Sequence, residues 1–162
     1  MIRLEKVGYN NLEAVLDLRV SEDQKSFVAP NDRSLIEACL ALTQGGKAFP
    51  FAICDGDTPV GFCMVGYGTD TGWEDAPAVA RDSYNIWRFM IGDKYQGRGY
   101  GKKSLQLVLD FILTWPCGKA DRCWLSYEPE NIRAKALYSR FGFEETGEMD
   151  GDEVIAVRLL NK

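Results

Sequence analysis

The segment Lys94–Lys102 (KYQGRGYGK) carries the densest chemistry in this 162-residue chain. It follows a strong strand-like run and opens an amphipathic helix. Backbone N–H groups at a helix start have no intrahelical partner, and the helix dipole makes that end partly positive, so an anion fits there. Gly97, Gly99 and Gly101 let the backbone approach a phosphate closely. Arg98, Lys102 and Lys103 add cationic donors. Two common phosphate loops do not fit. G-x-G-x-x-G fails because Lys102 takes the last glycine place. G-x-x-x-x-G-K-[ST] fails because Gln96 stands where the first glycine belongs and Lys103 where the hydroxyl belongs. The spacing present is Q-x-x-G-x-G, from Gln96 to Gly101.

Composition narrows the remaining chemistry. The chain has no histidine, which removes His triads, His metal sites and imidazole acid–base work. Proton transfer must then use carboxylates, Tyr, Cys, Lys or water. The five cysteines are an odd number and none form C-x-x-C, so neither a disulfide framework nor a zinc ribbon is expected. Cys39, Cys54, Cys63 and Cys123 lie in apolar runs and read as small buried hydrophobes of a reducing cytosol. The start, Met1 to Lys6, lacks the apolar run of a signal peptide, and no stretch approaches the roughly 20 apolar residues of a membrane span. A soluble cytoplasmic protein with no metal and no membrane partner is expected. The net charge of −5 disfavours nucleic acid and suits a cationic partner.

These residues need elements to hold them, and the pattern supplies one domain over 1–162. Ile2–Val7 alternates as a first strand. Asn10 with Glu13 predicts a capping box for a helix carrying Leu12, Val15, Leu16 and Leu18. A loop from Ser21 to Pro30 precedes a second helix that starts near Asn31 or Asp32, with Leu35, Ile36, Cys39, Leu40 and Leu42 as its apolar face and Gly45-Gly46 as its stop. Ala48–Cys54 and Val60–Tyr67 form a hairpin about Asp55-Gly56-Asp57. Gly68–Asp82 is a loop with room for a short helical turn. Tyr84–Ile91 (YNIWRFMI) is the strongest strand. A helix spans about Tyr100 to Trp115, a strand Cys123–Tyr127, and a helix Asn131–Arg140, which Asn131 can cap. Phe143–Met149 and Val154–Leu160 close the chain as a hairpin about Asp150-Gly151-Asp152. The order β-α-α-β-β-β-α-β-α-β-β describes an α+β domain, a mixed sheet with helices on its faces.

Gln96–Gly101 resembles the pyrophosphate-binding loop of the GNAT superfamily of N-acetyltransferases, [QR]-x-x-G-x-[GA] between a central strand and a helix. Asn131–Phe143 (NIRAKALYSRFGF) is similar to that family's N-x-x-A-x-x-L-Y-x-x-x-G-F signature, and the element order agrees with its mostly antiparallel, twisted sheet. The resemblance implies acetyl-CoA as co-substrate, its pyrophosphate cradled by Gln96, Gly97, Arg98, Gly99, Tyr100, Gly101 and Lys102. It further implies that Phe89, Met90 and Ile91 lie along the pantetheine arm, where the central strand splays from its neighbour. Asn131 would contact that arm, and Ala134 would be small to let it pass. The Tyr of the L-Y dipeptide, here Tyr138, would act as general acid. A phenol with pKa near 10 suits a departing thiolate near 8.5.

The base is open. An alkylammonium of pKa near 10.4 costs roughly 4.6 kcal/mol to deprotonate at pH 7. Many family members carry a glutamate near the start of the central strand, but here that segment is Tyr84-Asn85-Ile86. Glu128 or Glu130, Glu22 or Asp23, or a relayed water remain. The stretch Arg19–Asn31 resembles the substrate-side loop of bacterial spermine/spermidine acetyltransferases. On the family fold, Glu22, Asp23, Asp70, Glu74, Asp75 and Glu128 could rim an acceptor cleft, with Phe27, Trp73 and Trp87 as aromatic contacts. An acidic, aromatic cleft attracts a polycation. A small primary amine, spermine or spermidine, is the expected acceptor. The alternatives are a protein α-amine, an amino acid, an aminoglycoside, or a CoA-binding sensor without turnover. Open sheet edges in this fold commonly pair, which makes a homodimer an expectation too.

Overall fold

Side-chain alternation along the middle strands builds two cores, one on each face of a single sheet. The computed structural model describes residues 1–161, with seven strands: β1 (Ile2–Lys6), β2 (Lys47–Asp55), β3 (Thr58–Tyr67), β4 (Tyr84–Ile91), β5 (Arg122–Tyr127), β6 (Glu144–Asp150) and β7 (Glu153–Leu159). The helices are α1 (Leu12–Asp17), α2 (Asn31–Thr43), α3 (Tyr100–Ile112) and α4 (Ile132–Arg140), so the element order is the one expected. On β3, Cys63 and Val65 join a core with Leu105, Val108, Leu109 and Ile112 of α3 and Tyr138 of α4. The intervening Phe62 and Met64 join Val15 of α1 and Ala38 of α2 on the opposite face.

The strands run in the order β1-β2-β3-β4-β5-β7-β6. Every pairing is antiparallel except β4 with β5, which is parallel and has only two rungs, Tyr84↔Cys123 and Asn85↔Trp124. Beyond Asn85 the two strands separate. A β-bulge accompanies the separation: Met64 pairs with Arg88 and Val65 with Ile86, leaving Trp87 as the extra residue. A bulge bends its strand and re-aims side chains. Here Trp87 packs on the α1/α2 core, and Arg88 also reaches α2.

Three local expectations need correction. The Asn10–Glu13 capping box does not form. Asn11 stands at the N-cap, its Oδ1 accepting from Gly8 N–H at 2.9 Å and its Nδ2 donating to the Lys6 carbonyl at 3.1 Å, while Asn10 donates to Glu5. The fully buried positions of α2 are Asn31, Ser34, Ala38 and Ala41, and of the expected large apolar face only Leu35 packs against the core. Ile36 and Leu40 are 61% and 57% exposed, and Cys39 lies with them at the surface. Close packing on small β2 residues, Ala48 and Ala52, selects the small stripe. Cys54, Cys63 and Cys123 are buried as expected, and burial pushes the Cys123 thiol up to about 12. Finally, α3 ends at Ile112, where the chain turns through Trp115 at φ +59°. No helix among the described residues is long and apolar enough to cross a membrane.

Candidate active site

The separation of β4 from β5 opens the sheet from one face to the other. A cavity of about 740 Å³ runs through the opening. Its wall on the α3/α4 side includes Phe89, Tyr127, Leu137 and Tyr138, and its wall on the α1/α2 side includes Trp73, Trp87, Trp124, Ser126 and Glu153. Strand alternation enforces this division. On β5, Cys123, Leu125 and Tyr127 face α3 and α4, so Trp124 and Ser126 face away. On β7, Val154 and Ala156 face α3 and α4, so Glu153 and Ile155 face away.

The glycine loop closes one mouth of the cavity. Gly97 and Gly99 have φ of +76° and +79°, the left-handed region that other residues pay to enter. Gly99 is the N-cap of α3. Among the described residues, no carbonyl accepts a hydrogen bond from the N–H groups of residues 97–102. Consecutive free donors at a helix start, reached through glycines without side chains, fit a pyrophosphate. Gly97, Gly99, Tyr100 and Gly101 line the cavity. Gln96 braces the loop. Its Nε2 donates to the Ile91 carbonyl at 2.9 Å and to Gln24 Oε1 at 2.8 Å, and Gln24 donates back at 3.2 Å. Tyr100 donates to Asp55 at 2.7 Å. Arg98 and Lys102 do not reach the cavity wall. Arg98 turns back to the Lys94 carbonyl at 3.1 Å and over the Tyr95 ring.

Phe89, Met90, Ile91, Asn131 and Ala134 all line the cavity. Met90 buries its side chain in the α1/α2 core, so its backbone is the part that serves the free edge of β4. Asn131 caps α4, its Oδ1 accepting from Ala134 N–H at 3.3 Å. Tyr138 is only 9% exposed and packs against Tyr127, Phe143 and Phe89 at ring distances of 5.9, 5.9 and 6.5 Å. Burial, then the nearby charge of Glu153, pushes its phenol well above the ordinary value. The hydroxyl therefore holds its proton throughout the neutral range.

The acidic residues divide sharply. Phe27 and Trp87 line the cavity, with Asp70 and Trp73, but Glu22, Asp23, Glu74, Asp75, Glu128 and Glu130 do not. Glu128 sits in the turn after β5, where its carbonyl accepts from Asn131 N–H at 2.9 Å. Glu37, Asp150 and Glu153 line the cavity without having been anticipated. Arg88 is a further unanticipated lining residue, and its guanidinium pairs with Glu37 at 2.7 Å while Glu37 also holds Arg33 at 3.1 Å. Asp150 and Glu153 face each other across the two-residue turn of the closing hairpin. Burial raises the Asp150 carboxyl above its ordinary value. The hairpin was legible in the sequence. Which of its carboxylates faces the cavity depends on β5–β7 register, and no local pattern encodes that.

A sheet split between its one parallel pair, with an anion cradle at one mouth of the split, defines an N-acetyltransferase that draws on acetyl-CoA. The chain belongs to the acetyltransferase (GNAT) family, whose model matches residues 12–143. It is 34% identical to the spermine/spermidine N(1)-acetyltransferase of Bacillus subtilis (strain 168), over 98% of this chain and 99% of that protein. Its fold is similar to an aminoglycoside acetyltransferase solved in complex with coenzyme A (TM-score 0.75, 17% identity, 98% and 95% of the two chains). It is also similar to the PaiA N-acetyltransferase of Thermoplasma acidophilum, solved in complex with coenzyme A (TM-score 0.65, 15% identity, 99% of each chain).

Proposed function

We propose that this protein acetylates a primary amine of a small polycation, spermine or spermidine, by direct attack in a ternary complex with Tyr138 as general acid. The observation that carries the reading is the single cavity joining the free amides of residues 97–102 to a wall of Trp73, Trp87, Asp70 and Asp150. The first end fits a pyrophosphate; the second attracts a polyammonium through charge and cation–π contact. The name of the Bacillus subtilis relative supports the same acceptor class.

In this reading the amides of residues 97–102 hold the pyrophosphate of acetyl-CoA, and the free edge of β4 at Phe89–Ile91 hydrogen-bonds the pantetheine arm. Asn131 and Ala134 flank that arm. Bound acetyl-CoA supplies an activated thioester. Tyr138 donates its hydroxyl proton to sulfur as the carbon–sulfur bond breaks. Because its phenol is held above the ordinary value, the acid is fully loaded at neutral pH, and the transfer completes late, when charge has built on sulfur.

The test is thiol release from acetyl-CoA across a panel of spermine, spermidine, an aminoglycoside, an amino acid and a peptide with a free α-amine, at two salt concentrations. Polyamines should lead in kcat/KM by tenfold or more, and their rates should fall as salt rises. Dominance by the peptide or the aminoglycoside would overturn the acceptor assignment. Acetyl-CoA raising Tm while no amine is consumed would instead establish a CoA-binding sensor.

A further inference from the structure

The acceptor's ammonium must lose a proton before it can attack, and neither histidine nor a carboxylate at the start of β4 is present to take it. Four carboxylates line the cavity: Glu37, Asp70, Asp150 and Glu153. Glu37 is committed to Arg88 and Arg33. Asp70 Oδ1 accepts from Gly72 N–H at 2.8 Å within its own connection. Asp150 lies at the end of β6, one strand further from β5 than β7. Glu153 differs from all three. It begins β7 beside β5, at the point where β5 has left β4, and Ser126 Oγ donates to its Oε2 at 2.9 Å. Among the described residues it has no cation within 4.0 Å.

We propose that Glu153 takes the proton from the reacting ammonium, facing Tyr138 across the β4–β5 opening while Ser126 fixes its carboxylate. The assignment rests on the reading of the cavity as an amine acetyltransferase site. Tyr138 enters the cavity from the α3/α4 side and Glu153 from the α1/α2 side, so a nitrogen in the opening has the base on one flank and the acid on the other. The charge of Glu153 acts to raise both the Tyr138 phenol and the Arg88 guanidinium, which line the same cavity. The other titratable and charged groups lining the same cavity are Glu37, Lys47, Asp70, Arg88, Arg133 and Asp150, with Tyr67, Tyr95, Tyr100, Tyr127 and Tyr138.

The protons balance as follows. One N–H bond of the ammonium breaks and an O–H bond forms on Glu153, which later releases that proton to water. Exclusion of water by the bound acceptor favours this step, because a neutral amine–acid pair is less costly to desolvate than an ion pair. The freed lone pair forms the N–C bond to the acetyl carbonyl carbon. As the C–S bond breaks, sulfur takes the Tyr138 proton, and the tyrosinate recovers one from the acylated nitrogen. One proton is released per turnover.

The test compares the wild-type protein with Glu153→Gln, Glu153→Asp and the exposed hairpin variant Glu148→Gln, measuring kcat, both KM values and their pH profiles. Glu153→Gln should lower kcat about 100-fold at pH 7, within the usual range for a general base. Its rate should then climb tenfold per pH unit where the wild type levels off. Acetyl-CoA binding and Tm should stay close to wild type. Glu153→Asp should restore the wild-type pH profile at a reduced rate, and Glu148→Gln should match wild type throughout. An acceptor already neutral at pH 7, such as an O-alkylhydroxylamine, should shrink the Glu153→Gln defect to within fivefold. A Glu153→Gln enzyme with wild-type kcat and pH profile, or with only a raised acceptor KM, overturns the base assignment alone. A wild-type protein that releases thiol with no amine overturns the functional reading beneath it.

Discussion

Replacing Tyr138 by Phe separates chemistry from packing because the substitution removes one oxygen and leaves the ring. The ring's contacts with Tyr127, Phe143 and Phe89 persist. Tyr138 lines the cavity, and among the described residues its hydroxyl has no hydrogen-bond partner. No intramolecular bond is lost, so folding stability should move by no more than about 0.5 kcal/mol. Tyr138→Ala would instead cost about 3–5 kcal/mol by emptying the core. Loss of a general acid should lower kcat by about 10²–10³, or roughly 2.7–4 kcal/mol of barrier. The assay is thiol release beside a thermal melt of the same samples. The pH profile gives a second reading. Burial raises the folded phenol above its unfolded value near 10. The stability this group contributes is therefore fully present below about pH 10 and is lost only as pH rises beyond it. Catalysis likewise should show no alkaline decline from Tyr138 below about pH 10. Turnover within threefold of wild type in Tyr138→Phe, or an alkaline limb near pH 8 that the variant abolishes, would refute the reasoning.

Two further changes probe the cradle and the cavity floor. Gly99→Ala places a Cβ in open space but forces a φ of +79°, so it should cost about 1 kcal/mol of stability and raise acetyl-CoA half-saturation tenfold or more, with the acceptor KM unmoved. Steady-state kinetics in each substrate checks this. Glu37→Gln leaves the largely buried Arg88 without its anion and should lower stability by about 2 kcal/mol, and a double-mutant cycle with Arg88→Met should recover at least half of that loss in chemical denaturation.

The fold was largely legible because period-2 and period-3.6 patterns report burial directly. YNIWRFMI could only be a strand, and Gly97–Gly101 could only be a turn into a helix. Helix α2 shows where that logic breaks. Its large apolar residues promised a buried face, yet the sheet beneath presents Ala48 and Ala52, and the helix approaches closely through Ala38 and Ala41. Close approach won over side-chain size, leaving Ile36 and Leu40 to solvent. Asn31 pays for its burial with a hydrogen bond from its Nδ2 to the Val15 carbonyl at 2.9 Å, a tertiary contact no helical wheel contains.

The candidate site follows the same division between local and non-local information. The glycine loop, Asn131 and Tyr138 lie in short motifs of near-consecutive residues, and all reach one cavity. Of the carboxylates expected at the cleft only Asp70 lines the cavity, because carboxylate positions depend on pairing between segments far apart in sequence. Glu128, one of the candidate bases, follows β5 directly, but the chain turns there to start α4 and carries it off the cavity wall. Glu153 comes 27 residues after Ser126 and meets it only because β7 inserts between β5 and β6. That insertion covers the edge of β5 that faces away from β4, while the edge facing β4 stays free beyond its second rung. The sheet thus remains joined on one side of β5 and open on the other. The Tyr138 phenol from α4 and the Glu153 carboxylate from β7 can reach the same opening from opposite faces only in that arrangement.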